Sequence, residues 1–398
     1  MDDPLCNTVV TGKQLEELLV KSSKLHLNGH RLVDVEAKKI GDDQGFTSTV
    51  LRASLKWSDP ASDLPKSIIV KAIGSDAMKD MLTHATEDQL EAMFEHIHTA
   101  HNIECAVYGL NGLRDVVPMP RCYASLRSGK DQPGIIILQD LSDHGLVLPL
   151  SAWGTATEGQ LEEILGVLSS VHAWSVNNSE WKRAIPPLTE HNVLAPFVDT
   201  MVSMYPESKN KYPDLLAKLD ESTVKQRITK EAFVELFGCD SKVKYNLPQV
   251  LVHGDIHLMN MMFEKNEDGS AGDRLIALFD WQVSHRGCGV EDLMRIFILC
   301  VSAETRRKDG DNIVRRYVEL FNSKVNDPEN HIRFEDIKRA LNDIFAFFTV
   351  MWTCGILIFD QMKSLMKNLN EQEHEAMEKR IMRDYYENIN DSLEILNW

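Results

Sequence analysis

The chain has 398 residues and carries 43 lysines and arginines against 60 aspartates and glutamates. The resulting formal net charge of -17 excludes a general affinity for nucleic acid or an anionic membrane surface and favours a neutral or cationic acceptor. A hydrophobic content of 43% and a charged content of 26% are ordinary for a globular protein, and the length suffices for two lobes around a well-buried core.

The seven cysteines (Cys6, Cys105, Cys122, Cys239, Cys288, Cys300, Cys354) are dispersed, odd in number and without C-x-x-C spacing, which implies free, packed thiols in a reducing compartment. The N-terminus, MDDPLCNTVVTGKQ, is acidic and lacks the basic and apolar regions of a signal peptide, so a cytoplasmic location is expected. Thr11 and Gln14 have capping-box spacing, with Leu15, Leu18 and Leu19 as the apolar side of a first helix. From Arg31 to Trp57 the pattern is strand, turn, strand. Gly41 and Gly45 permit a tight turn whose backbone N–H groups, with Thr47 and Ser48 beside them, suit phosphate oxygens; an ordinary hairpin uses the same residues, and G-x-G-x-x-G is absent. In the next strand, KSIIVKAIG, Ile69, Lys71 and Ile73 share a face, and a lysine there requires a carboxylate or a phosphate. A helix expected from about Glu87 to Tyr108 supplies the carboxylate: Leu90, Phe94, Ile97, His101, Glu104 and Tyr108 fall at helical spacing, which puts Glu104 on the apolar side. A lysine snorkelling at the sheet edge is the alternative.

GIIILQDLSDHG reads as a buried strand ending in a polar turn, after which the chain becomes mostly helical. Thr157 and Gln160 again have capping-box spacing, and Leu161, Ile164, Leu165, Leu168, Val171 and Trp174 form a stripe on which His172 is expected as a hydrogen-bonded core histidine. An apolar run, Val250 to Val252, then ends in His253-Gly254-Asp255; Asn260 lies five residues beyond Asp255, and a second run from Leu275 to Phe279 delivers Asp280. The Asp255 to Asn260 spacing is that of the base and the asparagine in the kinase loop H-R-D-x-x-x-x-N. Magnesium takes oxygen ligands, usually one or two from protein with phosphates and waters, and Asn260 and Asp280 are such a pair. His253, Asp255 and His257 alternate along a possible strand and are the alternative ligand set of a metal hydrolase, which leaves Asn260 and Asp280 unused. The longest apolar run, Ile344 to Phe359, is too short for a membrane span and reads as a buried helix.

VLVHGDIHLMN followed by LIALFDWQVSHRGCGVEDLMR resembles the choline-kinase-like and aminoglycoside-phosphotransferase group, whose loop reads H-G-D-x-x-x-x-N. Within it the chain is most similar to the ecdysteroid-kinase-like proteins of insects and nematodes, where D-W-Q or D-F-Q, then H-x-G and D-L, follow the loop. The resemblance implies an α+β, protein-kinase-like two-lobed fold: a sheet-rich N-lobe over residues 1–138, a hinge at 139–141, and a helical C-lobe over 142–398 with the catalytic loop at 253–260. It implies ATP and Mg²⁺ as cofactors, Asp255 as catalytic base, and Asn260 and Asp280 as metal ligands. Lys71 and Glu104 would fix the α- and β-phosphates beneath the turn of Gly41 and Gly45. Gln139, Asp140 and Leu141 would meet adenine through backbone groups, and His253 and Asp292 would support the catalytic loop. The implied reaction is phosphorylation of a small-molecule hydroxyl, in a steroid alcohol, glycoside or xenobiotic-like acceptor, with no nucleic-acid partner and no membrane span; oligomeric state is not implied. A choline or ethanolamine kinase is an alternative, although those tend to read H-N-D and D-F-E-Y. A nucleotide-binding pseudokinase is the other.

Overall fold

In a computed structural model of the chain, residues 1–22, 24–40, 48–60, 63–73, 87–129, 132–191, 195–238, 241–358 and 370–396 are described. They form two compact units, one of residues 1–109 and 119–144, the other of residues 110–118 and 145–398.

The first unit is a five-stranded antiparallel sheet with helices. Its opening helix α1 (Gly12–Lys21) starts at the expected capping box: Gln14 N–H donates to Thr11 Oγ1 at 3.2 Å and Thr11 N–H to Gln14 Oε1 at 3.0 Å. Strands β1 (Leu32–Lys39), β2 (Ser48–Trp57) and β3 (Ser67–Ile73) precede helix α2 (Glu87–Tyr108), and β4 (Cys122–Leu126) and β5 (Ile135–Gln139) complete the sheet in the order β1-β2-β3-β5-β4. Strand alternation sends Ile68, Val70 and Ala72 of β3 into an apolar core with Leu15, Leu19, Leu51 and Ile137. Lys71 is thereby turned to the opposite face. The Gly41 and Gly45 turn lies outside the described residues.

The second unit begins with β6 (Gly145–Val147) and helix α3 (Glu158–Asn177), again started by a capping box, between Thr157 and Gln160. Helices α4 (Ala195–Ser203) and α5 (Lys230–Phe237) lead to β7 (Gln249–Val252), β8 (Met261–Lys265), β9 (Ala271–Leu278) and β10 (His285–Cys288). β7 pairs with β10, and β6, β8 and β9 form a three-stranded sheet, all antiparallel. Helix α6 (Val290–Arg295) runs straight into a π-helical turn, Ile296–Cys300, followed by α7 (Ala303–Asn322), α8 (Phe334–Cys354) and α9 (Glu371–Leu396). The apolar run forms the buried second half of α8, from Ile344 to Cys354; Phe359 lies outside the described residues. Among the described residues no helix is long and apolar enough to cross a membrane. The segment 110–118, which the sequence places in the N-lobe, belongs with the helical unit: Pro118 accepts from Leu278 N–H at 2.8 Å, continuing the edge of β9.

Candidate active site

The loop after β7 is built on a glycine and a buried carboxylate. Gly254 has φ +81°, and a Cβ there would stand 2.8 Å from the Val283 carbonyl oxygen, so the conformation and the space both demand glycine. Asp292 of α6, wholly buried, accepts His253 N–H at 2.8 Å on Oδ2 and Gly254 N–H at 2.9 Å on Oδ1. His172 Nε2 lies 3.1 Å from Asp292 Oδ2, and His172 Nδ1 lies 2.7 Å from the Tyr317 hydroxyl. Burial pushes the Asp292 carboxyl upward, but the His172 hydrogen bond and the charges and N–H donors around it outweigh burial and hold it below the ordinary carboxylate value. His172 is thus the hydrogen-bonded core histidine expected, with the added task of orienting Asp292.

His253 ties the loop to the end of β9. Its Nε2 faces the Phe279 carbonyl at 3.1 Å and its Nδ1 the Asp255 N–H at 3.2 Å, which assigns a neutral ring protonated at Nε2. Burial lowers its basicity in agreement with that assignment. Both ring nitrogens are used, so His253 is not available as a metal ligand.

Asp255 and Asn260 meet directly. Asn260 Nδ2 donates to Asp255 Oδ2 at 3.1 Å and to the Asp255 carbonyl at 3.0 Å, which turns the amide oxygen Oδ1 the other way. His257 Nε2 stands 3.3 Å from Asp255 Oδ2. Burial would raise the Asp255 carboxyl, but His257, Arg295 and His253 together hold it far below the usual range, and 30% of the side chain remains exposed. Met261 pairs with Leu278 across β8 and β9, and Phe279 N–H donates to the Asn260 carbonyl at 3.1 Å. The next residue after Phe279 is Asp280, so the register sets its backbone beside that of Asn260. Asp280 adopts φ +65°, a left-handed conformation that aspartate tolerates better than most side chains.

Sequence reasoning passed over Arg295. This guanidinium, 6% exposed, reaches Asp255 Oδ1 and Glu291 Oε1, each at 3.5 Å, and lies 4.9 Å above the Phe348 ring. Glu291 Oε2 in turn stands 3.2 Å from His285 Nε2, both side chains being fully buried. A charged Glu-x-x-x-Arg spacing inside the apolar stretch around LMRIFILC was the signal available.

In the first unit, Lys71 Nζ and Glu104 Oε2 form a buried pair at 2.6 Å, with side-chain exposures of 11% and 1%. Helix α2 continues to Tyr108, and Ile97, His101, Glu104 and Tyr108 are all buried, as the stripe requires. Glu104→Ala would remove the carboxylate from a buried ammonium; it is expected to destabilise the protein by about 3 kcal/mol, read as a lower urea midpoint. A midpoint equal to wild type would refute that role. Of the expected adenine-facing residues, Gln139 donates its N–H to Arg121 O at 2.8 Å, and Leu141 O accepts from His144 N–H at 3.0 Å. The Asp140 carboxylate is bound within this unit by Arg52 at 3.0 Å, Ser67 at 2.9 Å and Ser142 N–H at 3.0 Å.

The second unit thus sets a partly exposed carboxylate against an amide, with a second acid at the neighbouring strand end, and the fold class is α+β. The chain belongs to the DUF1679 family, described as "Uncharacterized oxidoreductase dhs-27", which matches residues 3–397. It is 24% identical over 273 residues, 66% of this chain and 67% of the relative, to an uncharacterized kinase-like protein of Caenorhabditis elegans. Among solved structures it is similar to Plasmodium vivax ethanolamine kinase, with 13% identity, coverage of 91% of this chain and 80% of that one, and a TM-score of 0.44. A GDP complex of wild-type aminoglycoside 2'-phosphotransferase-IIIa matches at 11% identity over 89% of this chain and 94% of that one, with a TM-score of 0.47. As for the family description, nicotinamide dinucleotides are usually cradled by parallel βαβ units, whereas every sheet among the described residues is antiparallel.

Proposed function

We propose that the protein is an ATP- and Mg²⁺-dependent phosphotransferase acting on a hydroxyl of a small molecule. The observation that carries this reading is the contact of Asp255 with Asn260 beside the start of the Asp280 turn. An accessible carboxylate held ionised is suited to accept the hydroxyl proton, and Asn260 Oδ1 and the Asp280 carboxylate are the hard oxygen donors magnesium prefers. Bound magnesium would neutralise charge on the nucleotide phosphates. Within the first unit, the Lys71 ammonium held by Glu104 is the kind of braced cation that binds a phosphate. The hydrolase alternative loses support because His253 spends both nitrogens inside the fold, and no cluster of three or more His, Cys, Asp or Glu able to hold a metal occurs among the described residues.

A partly apolar acceptor, of the steroid-alcohol or glycoside kind, is supported by the aromatic series leading from Arg295. Phe348 lies 5.7 Å from Trp352 and Trp352 5.7 Å from Phe197, and the Trp352 Nε1 is buried with no hydrogen-bond partner among the described residues. The test is a metabolite extract incubated with Mg-ATP and read by mass spectrometry for compounds heavier by one phosphoryl group. Labelling of protein alone would remove the small-molecule reading, and labelling of choline and ethanolamine alone would remove the apolar acceptor. Asp280→Ala is expected to weaken Mg-ATP binding, seen as a reduced thermal shift on titration; an unchanged shift counts against Asp280 as a ligand.

A further inference from the structure

Helix α6 supports the loop twice. Asp292 holds its backbone, and one turn further on Arg295 reaches its side chain, with Glu291 on the same helix bracing Arg295 from the other side. We propose that Arg295 is a positioning residue for Asp255: its guanidinium, fixed by Glu291 and the Phe348 ring, keeps the carboxylate turned toward the acceptor hydroxyl. The inference rests on the reading of Asp255 as base.

The argument is geometric. The terminal torsion of an aspartate is broad and is fixed only by what its oxygens touch. Asn260 donates to Oδ2, beside which His257 stands at 3.3 Å, while Arg295 faces Oδ1, so the carboxylate is held from both sides. A planar guanidinium, always charged, can face two carboxylates at once, which a lysine cannot do with the same geometry. Burying it is costly, since Nε has no hydrogen-bond partner among the described residues and the charge is taken from water. That cost is met by alternation along Asp255, Arg295, Glu291 and His285. His285 closes the series by donating from Nδ1 to the Val283 carbonyl at 3.0 Å, the same carbonyl that crowds Gly254. The π-helical turn begins at the residue after Arg295, and such turns are frequent where a helix is re-aimed at a functional site.

Slow Mg-ATP hydrolysis with water as acceptor, expected of the full chain under the proposed function, supplies the assay, and urea denaturation without nucleotide supplies a second readout. Arg295→Met is expected to lower kcat by about 10- to 100-fold with KM for Mg-ATP kept, as for a misplaced reacting group. Arg295→Lys should recover part of the loss. Arg295→Met also strands the Glu291 charge, so its urea midpoint falls; adding Glu291→Gln should restore the midpoint but leave kcat low. In an Asp255→Asn background Arg295→Met should have no further effect on kcat. Recovery of kcat together with the midpoint, or an equal loss in both backgrounds, would overturn the positioning role. If Asp255→Asn by itself leaves hydrolysis unchanged, the base reading fails, and this inference with it.

Discussion

Asp255→Asn is expected to lower turnover of a hydroxyl acceptor by roughly 10² to 10⁴ while leaving Mg-ATP affinity largely intact. The substitution preserves shape, and its amide oxygen still accepts from Asn260 Nδ2, so the loop and the metal-side donors keep their places. What disappears is the lone pair that takes the proton, and with it the negative charge that Arg295 and His257 face. The new amide nitrogen is set toward the Arg295 guanidinium, donor against donor, which adds a local penalty without touching Asp280. Steady-state kinetics with a thermal-shift titration of Mg-ATP separate these effects. Unchanged kcat would remove Asp255 from the reaction, and a lost shift would show that it serves binding instead.

The features that the sequence discloses are those whose physics is local. A lysine in an apolar strand and a glutamate on the apolar stripe of α2 each signal a need for a partner, and here the two needs are met by each other across 33 positions. The loop residues are legible because a strand end, a glycine and fixed spacing confine them. Asp140 shows the limit: its carboxylate answers to Arg52 and Ser67, both far away in sequence, and no spacing rule connects them. Arg295 and Glu291 show another limit. At i and i+4 they look like an ordinary solvated helix pair with the apolar stretch around them as the one hint, and it is the Phe348 ring and the buried His285 that show the charges to be enclosed. The segment 110–118 is assigned by one strand-edge hydrogen bond and the packing around it, which local periodicity does not encode.

Asp292→Asn should destabilise the folded protein by about 3 kcal/mol at neutral pH, since removing one charge from a buried, fully hydrogen-bonded set leaves donors facing a donor. Three groups depend on this carboxylate: the N–H groups of His253 and Gly254, and His172. An asparagine satisfies at most part of that demand, and its NH₂ must point at one of them. The pH dependence follows from the sign of the shift. The folded Asp292 carboxyl lies below its ordinary value of 3.8, so its contribution is fully present above that pH and is lost as pH falls through the folded value. The gap between wild type and Asp292→Asn in urea midpoint should therefore narrow as pH falls below about 4. His253, held neutral and lowered from 6.5, weakens the fold as pH drops below 6.5, whereas His285, raised from 6.5, contributes below that pH and loses its contribution as pH rises through its folded value. The Asp292 charge raises both histidines, so Asp292→Asn alters their limbs as well, and the contribution of the carboxylate itself is read below about pH 4. A gap that stays the same at pH 3 as at pH 7 would show that Asp292 supports the loop by shape alone and not by charge.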